Sequence, residues 1–233
     1  MTEDQPTRRN FYGRVHGKTL RASQKEYLAE DLEPLRLRRV TTGENPDRSP
    51  LDPATIFASP RPIWVEVGFG GGEHLVHMAA RYPQVGIIGC EPFVNGVAML
   101  LGKIRQAEVD NLVIHPGDVR DLLDVLPDAS VDKAFLNYPD PWPKARHHRR
   151  RFVTPGYLGL LARVLKPGAE FRVATDIPDY VRQTLEEVPP VGFTLISQAG
   201  QGGAWEDWLS TRYEQKALRE GRAPHYLTFH RTP

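Results

Sequence analysis

Residues 63–83, IWVEVGFGGGEHLVHMAARYP, decide the fold, because a strand pattern runs into a glycine turn and then into a helix pattern. Ile63 to Val67 supply the strand, Gly68, Gly70, Gly71 and Gly72 the turn, and Leu75, Val76 and Ala79 the inner helix face. Glycines let the backbone approach a ligand, and a helix N-terminus offers unpaired N–H groups, so the turn suits a nucleotide-type ligand. A dinucleotide-binding loop would place its third glycine at position 73, where this chain has Glu73, and Glu66 stands just before the turn. A carboxylate at Glu66 repels phosphate but attracts ammonium and sulfonium charge, which favours S-adenosylmethionine as the ligand.

Outward from this unit, Val85 to Cys90 reads as the next strand and ends in Glu91. An acid there can accept both hydroxyls of a ribose, or be an ordinary surface residue. Phe93 to Ala107 gives a helix with Val97, Met99, Leu100, Leu101 and Ile104 on its inner side, and Leu112 to His115 the third strand. Asp118, after Gly117, can bind an adenine amino group or cap the helix that carries Leu122 and Leu123. Strand and helix keep alternating, which predicts an α/β, Rossmann-like, mostly parallel seven-stranded sheet with helices on both faces and ligands at the carboxyl ends of the strands. Glu66, Glu91, Asp118 and Asp140 all fall at such ends, four acids on one rim.

The fourth strand, Ser130 to Leu136, enters the stretch FLNYPDPWPKARHHRRR at residues 135–151. Pro139, Pro141 and Pro143 forbid regular pairing, so Tyr138, Asp140 and Trp142 are expected in extended geometry, with Asp140 held stiffly. Lys144, Arg146, His147, His148, Arg149, Arg150 and Arg151 follow without an acid. The run is either a solvated loop or a phosphate-binding arm, and its position after a rigid acidic turn favours the arm. Further on, Pro155 to Val164 predicts a helix ended by Lys166 to Gly168, and Glu170 to Ala174 a strand that delivers Asp176 to the rim. Asp176 can equally cap the helix after Ile177. Phe193 to Ser197 and Tyr226 to His230 are the last two strands. Between them Trp205, Trp208, Leu209, Tyr213 and Leu218 recur at helical spacing before a stop at Gly221, with the tryptophans read as packing.

The 233 residues, 40% hydrophobic and 25% charged, suit one globular domain at 61–233 behind a partly flexible basic and aromatic extension at 1–60. In that extension Phe11 and Tyr12 interleave with Arg8, Arg9, Arg14, Lys18 and Arg21, a mixture able to bind phosphates and stack on bases. Gln24 to Leu37 predicts a short helix, and Pro46 to Pro62 a link to the core. A net charge of +1 makes any nucleic-acid site a local patch. The single Cys90 excludes an internal disulfide, and the lack of an apolar leader or a long apolar run leads us to expect a soluble, cytoplasmic protein with no membrane partner and no metal.

Taken together, VEVGFGGG, the acid in GCEPF, YPDPWPKARHHRRR, VATDIPDY and STRYE resemble the successive motifs of the bacterial tRNA (guanine-N7)-methyltransferases of the TrmB type, class I S-adenosylmethionine-dependent enzymes. The resemblance runs from about Arg8 to the end of the chain, and the PDPWPK piece with its basic arm is its most specific part. It implies that Glu66, Gly68, Gly70, Glu91, Asp118 and Asp140 bind S-adenosylmethionine, with Asp140 also catalytic. It further implies that Lys144, Asp176, Thr211, Arg212, Tyr213 and Glu214 meet the substrate, a tRNA methylated at guanosine 46 of its variable loop. Arg212 and Tyr213 stand where the family more often has Lys and Phe.

Guanine N7 has a free lone pair and no proton, so its methylation needs positioning more than a base. Asp140 is then expected to accept from the N1–H and N2 edge of the base and to offset the charge that develops on the purine, a task Asp176 or Glu214 could share. Arg146, Arg149, Arg150 and Arg151 are expected on tRNA phosphates. A methyltransferase for a small molecule or a protein leaves the N-terminal basic segment and the arm unexplained, a methyltransferase of another RNA site is the alternative, and a non-catalytic RNA-binding protein leaves the four acids unexplained. The partner expected is tRNA, bound by a monomer or homodimer.

Overall fold

The computed structural model describes residues 12–233; Arg8, Arg9 and Phe11 of the proposed binding segment lie outside them. In chain order the elements are α1 (Ala22–Glu30), α2 (Leu32–Leu35), β1 (Ile63–Val67), α3 (Glu73–Arg81), β2 (Gly86–Cys90), α4 (Val94–Ala107), β3 (Leu112–His115), α5 (Val119–Val125), β4 (Val131–Asn137), α6 (Pro155–Val164), β5 (Leu165–Thr175), α7 (Pro178–Glu187), β6 (Phe193–Ala199), α8 (Arg212–Arg219) and β7 (His225–Arg231). The seven strands form one sheet in the order β3-β2-β1-β4-β5-β7-β6. All neighbours are parallel except β7, which lies antiparallel to both β5 and β6. The order reverses at β1 and β4, where crossover chains leave opposite faces of the sheet and open a crevice.

Both faces are covered, as near-continuous apolar strands require. On one side Leu122, Leu158, Leu161 and Tyr180 from α5, α6 and α7 pack with Val65, Ile88 and Phe171; on the other, Leu75, Met78, Leu100 and Leu101 from α3 and α4 pack with Ile87 and Phe135. Alternating residues of one strand thus serve two cores.

The residues before β1 are built onto this frame. Leu37, Val40 and Leu51 are buried in the first core, and the Leu37 N–H donates to the Ile114 carbonyl at 2.8 Å, which extends the β3 edge. The Tyr27 ring of α1 lies against Gly102 of α4 and under the Arg105 guanidinium at 4.8 Å. Further upstream, residues 15–18 are tied to the start of α4: Val94 N–H donates to Val15 O at 2.9 Å, Gly17 N–H to Asn95 Oδ1 at 2.8 Å, and Asn95 Nδ2 to Lys18 O at 2.7 Å.

Two expectations about elements need correction. The strand expected at Glu170 already begins at Leu165, because Leu165 pairs with Val131 and an irregularity between Val131 and Lys133 absorbs the extra residues. The helical spacing from Trp205 onward is not a helix before Arg212. The Trp205 and Trp208 rings meet edge to face at 5.6 Å, each also packs on Tyr226, and their indoles donate to Thr228 Oγ1 and Glu214 Oε2, both at 2.8 Å. Ring packing on β7, not a helix face, sets that period. Gly221, at φ +72°, does end α8.

Candidate functional site

The crevice at the sheet's carboxyl edge is a cleft of about 800 Å³. Its lining includes Glu66, Gly68, Gly70, Glu91, Asp118 and Asp140, so the four rim acids converge as their strand ends require. Gly68 and Gly70 hold φ of +70° and +56°, which bend the loop after β1 back toward β2. The bend is fastened by Glu91, whose Oε2 accepts from Gly70 N–H at 2.7 Å and whose Oε1 accepts from Phe93 N–H at 2.9 Å.

Each acid has its own setting. Burial pushes the Glu91 carboxyl up to about 7, against the two backbone donors; Asp140 adds to the rise and Arg212 opposes it. Glu66 is buried and pinned by two side chains, His74 Nδ1 at 3.0 Å and Asn137 Nδ2 at 3.2 Å. Asp118 caps α5 through Arg120 N–H at 2.9 Å and also holds the Arg120 guanidinium, with Nε at 2.8 Å. The capping alternative for Asp118 therefore holds, while the residue still lines the cleft. Asp140 differs from all three: it faces the open cleft, and among the described residues no donor bonds its carboxylate. The surrounding protein raises its carboxyl above the usual range by desolvation, with Arg14 pulling it down.

The turn that carries Asp140 is not extended as expected. Tyr138 and Trp142 sit at φ +48° and +41°, in the left-handed region that aromatic residues rarely occupy. Tertiary contacts hold them there. The Tyr138 N–H donates to Ala174 O at 2.8 Å and its ring stacks 6.5 Å from Trp208, while the Trp142 carbonyl accepts from Arg151 at 3.4 Å. Such strain persists only where the surroundings overdetermine it.

Arg151 is the second correction. Its side chain is fully buried, not aimed at phosphate, and donates to Pro141 O at 2.9 Å, Asp179 Oδ2 at 2.9 Å and Gln183 Oε1 at 3.0 Å. It is a strut under the turn. Arg146 and Arg149 are exposed on the 3-10 turn Ala145–Arg150, which Lys144 precedes, also exposed. Arg150 instead lines the cleft beside Tyr12, Arg14 and Trp142.

The C-terminal motif divides. Thr211 caps α8 by accepting from Glu214 N–H at 3.3 Å, and it lines the cleft together with Tyr213, whose ring covers Gly70. Arg212 lies over the Tyr213 ring and reaches Met99 Sδ at 3.1 Å. Glu214 is buried behind the wall, held by Trp208 Nε1 at 2.8 Å and by the Tyr226 hydroxyl. Asp176 is paired with Arg222 and does not cap α7, whose Ile177 N–H donates to Thr175 Oγ1 at 3.2 Å. Neither acid lines the cleft that Asp140 faces. Residues that sequence reasoning missed are His74, Asn137 and Arg120; nothing in the apolar pattern of α3 marks His74, and only its proximity to Glu66 gives it meaning.

Chemically, the cleft is a carboxylate-lined chamber suited to hydroxyl donors and organic cations, with a basic, aromatic mouth. The Methyltransf_4 methyltransferase family model matches residues 60–227. A protein of Paracoccus denitrificans named tRNA (guanine-N(7)-)-methyltransferase is 76% identical, the match covering 97% of this chain and 96% of the relative. One of the same name from Cereibacter sphaeroides is 75% identical over 98% and 93% of the two chains. Among solved structures, the 16S rRNA methyltransferase KamB superposes with a TM-score of 0.55 at 16% identity over 83% of this chain and 94% of its own. An antibiotic-related methyltransferase gives 0.56, also at 16%, over 82% and 94%. At that identity the likeness concerns the fold alone, the Rossmann-like class I methyltransferase fold.

Proposed function

The chain belongs to the tRNA (guanine-N(7)-)-methyltransferase family, and from that premise we propose that it methylates N7 of guanosine 46 in the tRNA variable loop. Methyl transfer to guanine N7 of tRNA is the activity of the family; the position in the loop is our reading of the resemblance. The methyl donor is S-adenosylmethionine, and the cleft residues fit it. Glu91 is a carboxylate starved of water, for which two ribose hydroxyls are suitable donors, and an acid-lined chamber complements an ammonium and a sulfonium. An added Cβ on Gly68 would meet nothing within 4 Å, so the loop leaves room at its tip. We assign Glu66, Gly68, Gly70, Glu91, Asp118 and Asp140 to the donor, which when bound supplies an electrophilic methyl group whose departure leaves a neutral thioether.

The observation that carries the reading is Asp140, an ionisable carboxylate without a donor among the described residues, held by a strained turn between the acid-lined cleft and the basic arm. Guanine presents N1–H and N2–H donors on the edge opposite N7. Asp140 accepts from that edge, turns N7 toward the donor end of the cleft, and its negative charge offsets the positive charge that the purine gains. No proton has to move, so the chain needs an orienting acid and not a base. Thr211 and Tyr213 line the route to the same point, Lys144, Arg146 and Arg149 take phosphates, and Glu214 holds Trp208 and Tyr226 in place behind Tyr138. The domain is read as 61–233 with residues 1–60 as an extension, and the setting as the bacterial cytoplasm. No helix among the described residues is long and apolar enough to cross a membrane.

Labelled methyl transfer to an unmodified tRNA transcript, followed by borohydride and aniline cleavage, tests the reading. Scission at guanosine 46, and none in a transcript carrying adenosine there, is the expected result. Scission elsewhere moves the site, and label without scission moves the target atom.

A further inference from the structure

Arg150 is placed where its arm does not need it. The guanidinium carbon lies 4.7 Å from the Tyr12 ring centroid and 4.8 Å from that of Trp142. Among the described residues no carboxylate pairs with it, and its Nε is buried with no hydrogen-bond partner. It is thus, among the described residues, a planar cation kept in the cleft by two aromatic faces. The rings are costly to hold: Trp142 takes φ +41°, fixed by the carbonyl bond to Arg151 and by His147 meeting its ring edge-on at 5.9 Å. Both rings and Arg150 line the same cleft as Asp140, two residues before Trp142.

The reaction produces another planar cation. Guanine N7 spends its lone pair on the new bond to carbon, and the purine ends with a positive charge spread over a flat ring. A flat, delocalised cation on an aromatic face gains cation–π attraction that the neutral base lacks, and the gain grows when water is excluded. We propose that Tyr12 and Trp142 form a clamp for the purine as it becomes cationic, and that Arg150 occupies the clamp as a stand-in until substrate displaces it. Asp140 would then neutralise the edge of the base while the two rings face its plane. Once displaced, Arg150 is free to join Arg146 and Arg149 on phosphate, so one side chain couples arrival of the backbone to opening of the base site. The inference rests on guanine N7 being the atom methylated.

Binding of 7-methylguanosine 5′-monophosphate and of GMP to the full-length protein, measured by calorimetry, tests it without turnover. The wild type should bind the methylated nucleotide about tenfold tighter than GMP, the range expected of a partly desolvated cation–π pair. Trp142→Leu and Tyr12→Leu should bring the two affinities within about twofold, Trp142→Phe should keep most of the preference, and S-adenosylhomocysteine binding should stay unchanged in Tyr12→Leu. Tyr12 is exposed at the mouth, so its variant carries the test if the Trp142 variants fail to fold. Equal affinities in the wild type, a preference surviving in Tyr12→Leu, or no binding of either nucleotide at millimolar concentration would overturn the proposal. Methylation of tRNA by the same preparation is scored separately: scission without the preference removes the clamp alone, and preference without scission removes the N7 reading alone.

Discussion

The two sides of the cleft are built on opposite terms. On the donor side Glu66, Glu91 and Asp118 sit at the ends of successive strands or just beyond them, and each has at least two protein hydrogen bonds. On the acceptor side, among the described residues, Asp140 has no protein donor and Arg150 no acid, and the backbone between Tyr138 and Trp142 is strained. The first side is ordered by the sheet itself. The second is ordered by contacts from far along the chain and keeps its polar groups unspent for a partner. A ligand that differs little from one turnover to the next can be met by a satisfied frame, whereas a large polyanion needs groups that are still available.

That contrast can be broken at several points. The largest effect is expected at Arg151, the strut beneath the acceptor turn. Arg151→Ala leaves carbonyls and Gln183 unpaired and should lower stability by about 3 kcal/mol in denaturant unfolding, with methylation falling as the turn relaxes. Loss of less than about 1 kcal/mol would mean that the turn supports itself. Next, Asp140→Asn should reduce kcat about a hundredfold while the protein still binds tRNA and stays folded, the cost typical of one missing electrostatic stabiliser. Full turnover at saturating substrate would move the reacting centre elsewhere.

On the donor side the expected effects are smaller and depend on pH. The Glu91 carboxyl, raised from 4.5 to about 7, is protonated below that value and ionised above it. If the ribose hydroxyls need the ionised form, S-adenosylhomocysteine should bind about tenfold more weakly at pH 6 than at pH 8. Glu91→Gln should flatten that profile, and a profile unchanged by the substitution would assign the titration to another group. The smallest effect is expected from Arg146→Gln with Arg149→Gln. Each exposed cation accounts for about one unit of slope of log Kd against log salt for tRNA, with S-adenosylhomocysteine affinity unaltered.

The same contrast explains what could be read before the structure. Ile63–Val67, Leu112–His115 and Pro155–Val164 occupy the spans that their apolar patterns predict, because burial on a central parallel sheet leaves a local imprint. The rim acids follow from strand order alone. The acceptor side leaves no such imprint. Nothing near Arg151 in sequence distinguishes it from Arg150; what separates them is Asp179 and Gln183, on a helix that follows another strand. Likewise nothing near Glu214 in sequence shows that Trp208 and Tyr226 enclose it. Prolines at 139, 141 and 143 argue for extended neighbours, and only long-range anchors turn Tyr138 and Trp142 the other way.

The N–H of Leu37 bonded to the carbonyl of Ile114 carries a consequence for synthesis. Leu37, Val40 and Leu51 leave the ribosome before the strand edge and helix that bury them are translated. At about 5–20 residues per second the growing chain carries these apolar side chains uncovered for several seconds. The segment that precedes β1 is therefore made before its cover and folded late, which gives a chaperone of nascent chains an apolar stretch to cover.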